Sequence, residues 1–184
     1  MSRTVIIYRS KYGATKRYAQ WLGEMLHCDV LENNRLKSEQ RVLEQLAPYD
    51  TVVLGGGVYA GGIAGASFLK KNSGALRGKR VAVFAVGASP EDKEAMRQMK
   101  ERCLNGLPEE LQAIPLFYCR GAWSMSRMNW LDRTMCGMLK KSVAKQDAAE
   151  AEPWQKALME ADGDCDWTDK NSLEPIVRFV ENRA

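Results

Sequence analysis

Six consecutive apolar residues, Val81, Ala82, Val83, Phe84, Ala85 and Val86, constrain this chain more than any other feature. A strand with one wet face alternates apolar and polar residues. A strand without a polar position is covered on both faces, the condition of a parallel sheet sandwiched between helices. Parallel strands need crossovers, and the neighbouring sequence supplies segments of the right length and pattern.

Val5 to Tyr8 reads as a first strand and Thr15 to Leu26 as a helix, with Ala19, Leu22 and Leu26 on one face. Cys28 to Leu31 follows as a strand, Glu39 to Leu46 as a helix and Thr51 to Leu54 as a strand ending at Gly55. Ser67 to Asn72 opens a further helix. After Val86, Ser89-Pro90-Glu91-Asp92 has the form of a helix start, Ser as cap and Pro at the first helical position, for a helix reaching Cys103. Ile114 to Cys119 is a fifth strand, and Leu173 to Asn182 a terminal helix with Thr168 or Asp169 as its cap. The expectation is one α/β domain over residues 1–184, a doubly wound sheet of five parallel strands with helices on both faces. Ligands of such sheets bind beyond the carboxyl ends of the strands, here residues 9 to 15, 55 to 61 and 87 to 90.

Composition removes several classes of function. The five cysteines form an odd set without a CxxC pair and His27 is the only histidine, so neither a disulfide framework nor a His/Cys zinc site has its ligands. Thr51 to Leu69 carries no charge, yet its six glycines argue for a buried strand and a ligand-approaching loop instead of a membrane span. The start, Met1-Ser2-Arg3-Thr4, leads straight into a strand without a secretory signal, and cytoplasm is the expected location. Net charge is +4, but Tyr118 to Lys145 holds six basic residues against Asp132, while Gln146 to Asp169 holds eight acids against Lys156. Two electrostatic faces are implied, with no nucleic-acid partner.

Ser10-Lys11-Tyr12-Gly13-Ala14-Thr15 follows the first strand and opens a helix. Backbone N–H groups at that helix N-terminus, the Ser10 and Thr15 hydroxyls and a close approach at Gly13 suit a phosphate, although a plain helix cap would use the same residue types. After the third strand, Gly55-Gly56-Gly57-Val58-Tyr59-Ala60-Gly61 suits a planar ligand, Tyr59 offering a flat face. Its Gly55-x-Gly57-x-x-Ala60 spacing also meets the loosest dinucleotide fingerprint, but it follows the third strand and the next acid is Glu91, too far for a ribose. Gly87-Ala88-Ser89 forms a third loop at the same edge. No convincing catalytic acid, base or nucleophile stands out; His27 reads as the end of the first helix, and the cysteines lack a basic partner.

The first of these loops resembles the flavodoxin phosphate loop, Thr/Ser-x-Thr/Tyr-Gly-x-Thr, with Ser10, Tyr12, Gly13 and Thr15 in the family's positions and Ala14 replacing a frequent Asn. Lys11, with Arg9, Lys16 and Arg17, adds charge beyond the usual loop. The resemblance implies a flavodoxin-like fold and FMN, its phosphate held by residues 10–15 (Ser10, Lys11, Tyr12, Gly13, Ala14, Thr15). Its ring would be bordered by the Gly55–Gly57 run, Val58, Tyr59, Ala60 and Gly61 on one side and Gly87, Ala88 and Ser89 on the other. A narrower resemblance rests on Val53-Leu54-Gly55, Phe68-Leu69-Lys70-Lys71, Arg120-Gly121-Ala122, Trp130-Leu131-Asp132-Arg133 and Asp166-Trp167-Thr168-Asp169. In that order they are similar to the menaquinone-dependent protoporphyrinogen oxidase branch. That branch implies an insertion at about 123–165 near the fifth strand, and a flavin oxidising protoporphyrinogen or a similar organic substrate with a quinone as acceptor.

Within the insertion Met128, Leu131, Met135, Met138 and Leu139 follow helical spacing among Arg127, Arg133, Lys140 and Lys141. Two readings stay open: a helix docked on the core with its charges solvated, or a basic Met- and Trp-bearing helix (residues 123–145) that meets an anionic membrane, a quinone or a tetrapyrrole. The function has two readings too: an FMN-dependent oxidoreductase with its own substrate, or a one-electron carrier between redox partner proteins. The sequence pI near 8.8 favours the first, ordinary flavodoxins being acidic.

Overall fold

The computed structural model describes residues 3–33, 39–59, 61–145, 151–161 and 163–182. Five parallel strands form the central sheet in the order β2-β1-β3-β5-β6: β1 (Thr4–Arg9), β2 (Asp29–Glu32), β3 (Thr51–Tyr59), β5 (Arg80–Gly87) and β6 (Leu116–Arg120). The short β4 (Gly62–Ile63) folds back antiparallel on the end of β3. Register is continuous across the centre, with Ile7 opposite Leu54 and Leu54 opposite Val83. This is the doubly wound α/β fold expected from the apolar runs.

Strand alternation divides the core in two. Val5 and Ile7 of β1, with Val52, Leu54, Val81 and Val83, face one layer, where α2 (Glu39–Leu46), α3 (Ser67–Lys71), α4 (Ser73–Leu76) and α5 (Lys93–Leu104) contribute Val42, Leu46, Leu69, Leu76 and Leu104. Ile6, Tyr8, Val53, Phe84 and Val86 face the other, covered by α1 (Ala14–Leu26) and α9 (Glu174–Glu181) through Tyr18, Ala19, Leu22 and Ile176. Both faces of β5 are therefore buried from Val81 to Val86, which is why those six positions are all apolar.

Two local expectations need correction. Gly55, Gly56 and Gly57 do not form a loop: β3 continues through them to Tyr59, with Gly55 paired to Tyr8 and Phe84, and Gly56 to Arg9 and Ala85. The reason is packing. A Cβ on Gly55 would lie 2.1 Å from the Phe84 ring, so the missing side chain makes room for Phe84 and does not end the strand. At α5 the cap is Asp92, whose carboxylate accepts from the Ala95 N–H at 2.7 Å, and Ser89-Pro90 precede the helix. An Asp followed by a regular first turn outcompetes a Ser three residues earlier.

Beyond β6 the chain leaves the sheet. Antiparallel β7 (Ala122–Trp123) and β8 (Cys165–Asp166) form a two-stranded ribbon, and the intervening chain carries the helices α7 (Trp130–Val143) and α8 (Pro153–Glu160); the short α6 (Glu109–Gln112) lies earlier, before β6. A 3-10 turn, Lys170–Leu173, then leads into α9, with the Asp169 carboxylate accepting from the Asn171 N–H at 2.9 Å.

The docked reading of α7 is overturned. Val143 is its buried residue, while Trp130, Leu131, Met135, Met138 and Leu139 are all exposed, Trp130 to 77%. Polar groups face the protein instead: Lys140 donates to the Ala161 carbonyl at 2.6 Å, and Asp132 reaches the loop after β1. The helical spacing of these apolar residues is real, but it marks an outward face.

Candidate functional site

The carboxyl ends of β1 and β3 lie side by side where the chain order reverses, since β1 is followed by β2 on one flank and by β3 on the other. A cleft opens outside the strands at such a point. The residues expected to bind a ligand converge there.

Gly13 has φ +100°, a left-handed conformation that a Cβ would strain, and it caps α1. Being glycine it brings no side chain to the orphan N–H groups of the first turn, and that turn holds no acid. A Cβ built on Gly13 would meet nothing within 4 Å, so the space before the helix is open. Open amides at the positive end of a helix dipole are what an anion needs. The Ser10 hydroxyl oxygen accepts from the Gly13 N–H at 3.0 Å, which sets the turn and leaves its own O–H to donate. Thr15 is 3% exposed and sits beneath the loop.

Charge around the loop is more compensated than the sequence implies. Arg17 donates to Asp166 at 2.5 Å and to the Thr168 hydroxyl at 2.8 Å, which ties α1 to the segment after the ribbon. Lys11 is paired with Asp132 of α7, and the Tyr12 hydroxyl donates to the same carboxylate. The Lys11 and Tyr12 hydrogen bonds hold the Asp132 carboxyl below its ordinary range, and the Asp132 bond raises Lys11.

Tyr59 closes the other side. It is 40% exposed and meets Tyr12 edge to face, with ring centroids 6.4 Å apart. The Lys11 ammonium lies 5.4 Å from the Tyr12 ring centre and 6.0 Å from that of Tyr59. Partial burial, then the neighbouring Tyr12, push the Tyr59 hydroxyl pKa upward, so it is a neutral phenol at physiological pH. Val58 and Tyr59 are held by pairing with Ile63 and Gly62, and the Gly57 carbonyl accepts from the Ala64 N–H at 2.8 Å. Gly61 turns the chain at φ +74°; Ala60 lies outside the described residues.

The third loop is fixed by its carbonyls. Gly87 O accepts from the Gly121 N–H at 2.7 Å, Ala88 O from Arg120 Nε at 3.2 Å and Ser89 O from the Tyr118 hydroxyl at 2.6 Å. The Arg120 guanidinium also stacks over Trp167, 4.3 Å from the ring centre. The three sequence-expected segments thus meet at one edge, except that Gly55, Gly56 and Gly57 are spent on sheet pairing, Gly57 opposite Val86.

Sequence reasoning missed Asp132, Arg120 and Trp167 as residues of this edge. A signal existed for Asp132: it is the lone acid among the six basic residues of Tyr118 to Lys145. His27 ends α1 in a left-handed conformation, its N–H donating to the Gly23 carbonyl. Among the described residues no group of three or more His, Cys, Asp or Glu could hold a metal, and no helix is long and apolar enough to cross a membrane.

Similar folds occur among solved structures. A flavoprotein in complex with FMN from Lactobacillus acidophilus NCFM is 19% identical, over 64% of this chain and 93% of that one, at a TM-score of 0.45. The Trp repressor binding protein from Bacillus subtilis is 14% identical, over 65% and 85%, at 0.48. A flavodoxin, WrbA-like protein from Agrobacterium tumefaciens is 20% identical, over 72% and 88%, at 0.44. No curated protein sequence matches the chain. The family model of the flavodoxin domain matches residues 5–150, from the first strand through the phosphate-type turn, the glycine-bearing third strand and α7, and the chain belongs to the flavodoxin-domain family.

Proposed function

We propose that this protein is an FMN-dependent oxidoreductase that binds the cofactor at the carboxyl edge of β1, β3 and β5. The observation that carries the reading is the open, acid-free N-terminus of α1 behind the left-handed Gly13, placed where the strand order reverses. The backbone amides of residues 14 and 15 and the Ser10 hydroxyl would hold the phosphate, with the Thr15 side chain contributing from beneath. Tyr59 and the Val58–Gly61 turn would border one side of the ring, and Gly87, Ala88 and Ser89 the other. FMN supplies the electron chemistry when bound, and the protein supplies position and electrostatics. Neutral Tyr59 gives the ring an apolar, stacking neighbour, and the carbonyl-braced third loop keeps its backbone from drifting.

The reading extends to an apolar organic substrate and a quinone acceptor, protoporphyrinogen being the substrate to try first. Support comes from α7, whose outward face of Trp130, Leu131, Met135 and Met138 lies on the helix that touches Lys11 and Tyr12. Exposed Arg127, Lys141 and Lys145 flank that face, a pattern suited to peripheral contact with an anionic membrane, where quinones reside.

Titration of the purified protein with FMN, followed by flavin fluorescence, tests the cofactor. Binding is expected to weaken on Ser10→Ala by the worth of one hydrogen bond to a charged group, about 1.5–3 kcal/mol. Unchanged affinity would remove Ser10 from the site. Reduction of a menaquinone analogue by protoporphyrinogen, and co-sedimentation with anionic liposomes, test the substrate and the membrane. If neither occurs while FMN binds, the chain is a one-electron carrier, and the α7 face belongs to a redox partner protein.

A further inference from the structure

Asp132 belongs to the insertion, yet both of its side-chain donors, Lys11 and Tyr12, belong to the turn that opens α1. It stands in the first turn of α7, where the Asn129 side chain accepts from its backbone N–H at 2.8 Å and caps the helix. Arg133 beside it holds the preceding loop through the Met125 and Ser126 carbonyls at 3.0 and 3.1 Å. The two ends of α7 are held differently. Its last turn has buried Val143 and the Lys140 bond to Ala161, whereas at its first turn the large apolar side chains Trp130 and Leu131 point outward. The contact of that first turn with the sheet edge is polar, the Lys11 ion pair and the Tyr12 hydrogen bond to Asp132.

Resting on the reading of residues 10–15 as a phosphate site, we propose that Asp132 latches α7 over that site and that an anion in the phosphate turn releases it. Lys11 is the shared element. In the latched state its ammonium is committed to the Asp132 carboxylate, beside the Tyr12 and Tyr59 rings. A phosphate dianion entering the turn attracts the same ammonium and repels the same carboxylate, so occupancy and latching oppose each other. Because α7 carries the exposed Met135 and Met138 face, its release moves that face whenever the cofactor phosphate is bound. The insertion thereby senses whether the turn is filled, and linkage makes the effect reciprocal: whatever holds α7 down weakens anion binding.

Amide hydrogen exchange and ligand titration on the full chain test this. In ligand-free protein, Asp132→Asn and Tyr12→Phe should each speed exchange in residues 130–136 while β1, β3 and β5 keep their protection. Asp132→Asn should tighten FMN by about fivefold, the low end of coupling between two sites, and leave riboflavin, which lacks the phosphate, unchanged. Adding FMN to the wild type should speed exchange in residues 130–136, whereas riboflavin should not. Unaltered exchange in both ligand-free variants overturns the latch, and so does FMN affinity that is equal or weaker in Asp132→Asn. Failure of the phosphate reading is separate: the wild type would then bind FMN no better than riboflavin. The ligand-free exchange would still report whether Asp132 holds the helix, but its release by an anion in this turn would be refuted.

Discussion

Asp132 in the first turn of α7 accepts a hydrogen bond from Lys11 in the turn after β1, joining two positions 121 residues apart and tying α7 to the carboxyl edge of the sheet. The sign of its pH dependence follows from the depressed carboxyl. A group with a lowered folded-state pKa contributes above its ordinary value and loses that contribution as pH falls through the folded value. Protection of residues 130–136 should therefore be at its full level near pH 7 and decline once pH drops below the ordinary aspartate value of 3.8. Added salt at neutral pH should weaken it too, because the pair is partly solvent-exposed. Hydrogen exchange at stepped pH and salt checks both.

Gly13→Ala places a Cβ at φ +100°. Open space surrounds it, so the cost is backbone strain alone, about 1–2 kcal/mol. Urea unfolding should show that loss, and FMN titration a parallel weakening, since relieving the strain would turn the first amides of α1 away from a phosphate.

Gly55→Ala fails for a different reason, the Phe84 ring 2.1 Å from the added carbon. Destabilisation of about 1–3 kcal/mol is expected from overpacking. Combining it with Phe84→Leu, which vacates the ring's space, should recover part of the loss made by the two changes separately. A double-mutant cycle by urea unfolding measures the coupling, and strict additivity would place the glycine's role elsewhere.

Tyr59→Ala should leave the midpoint of urea unfolding nearly unchanged, because the side chain is 40% exposed and packs on Tyr12, not in the core. The flavin absorbance spectrum and midpoint potential of the FMN-bound protein should shift. A variant with both unchanged would put Tyr59 away from the ring.

Burial raises the thiols of Cys28 and Cys119 to about 11 each. A raised pKa stabilises the fold at pH values below the ordinary thiol value of 9.0, and that contribution is lost as pH climbs towards the folded value. Stability should accordingly fall between pH 9 and about 11. At pH 8 both thiols should resist alkylation in the native protein and react once it is unfolded in urea, as mass spectrometry of labelled peptides would show.

Much of this molecule follows from local pattern. The uninterrupted apolar run from Val81 to Val86 demanded cover on both faces, and a hydroxyl- and glycine-bearing turn between Tyr8 and Ala19 announced a helix start that could meet an anion; period and residue type suffice for both. The sequence also contained the apolar spacing of α7, but not its direction. A helix with one apolar stripe looks the same whether the stripe meets a core or solvent, and only the positions of Val143, Lys140 and Asp132 against their neighbours decided that it faces outward. Gly55 was misjudged for a related reason. Its place inside β3 depends on Phe84, a residue on another strand whose ring fills the space the glycine leaves. The pairing of Asp132 with Lys11 is the extreme case, since a contact between segments this far apart in the chain leaves no periodic trace and comes into being only when the fold returns the chain after β7 to the sheet edge.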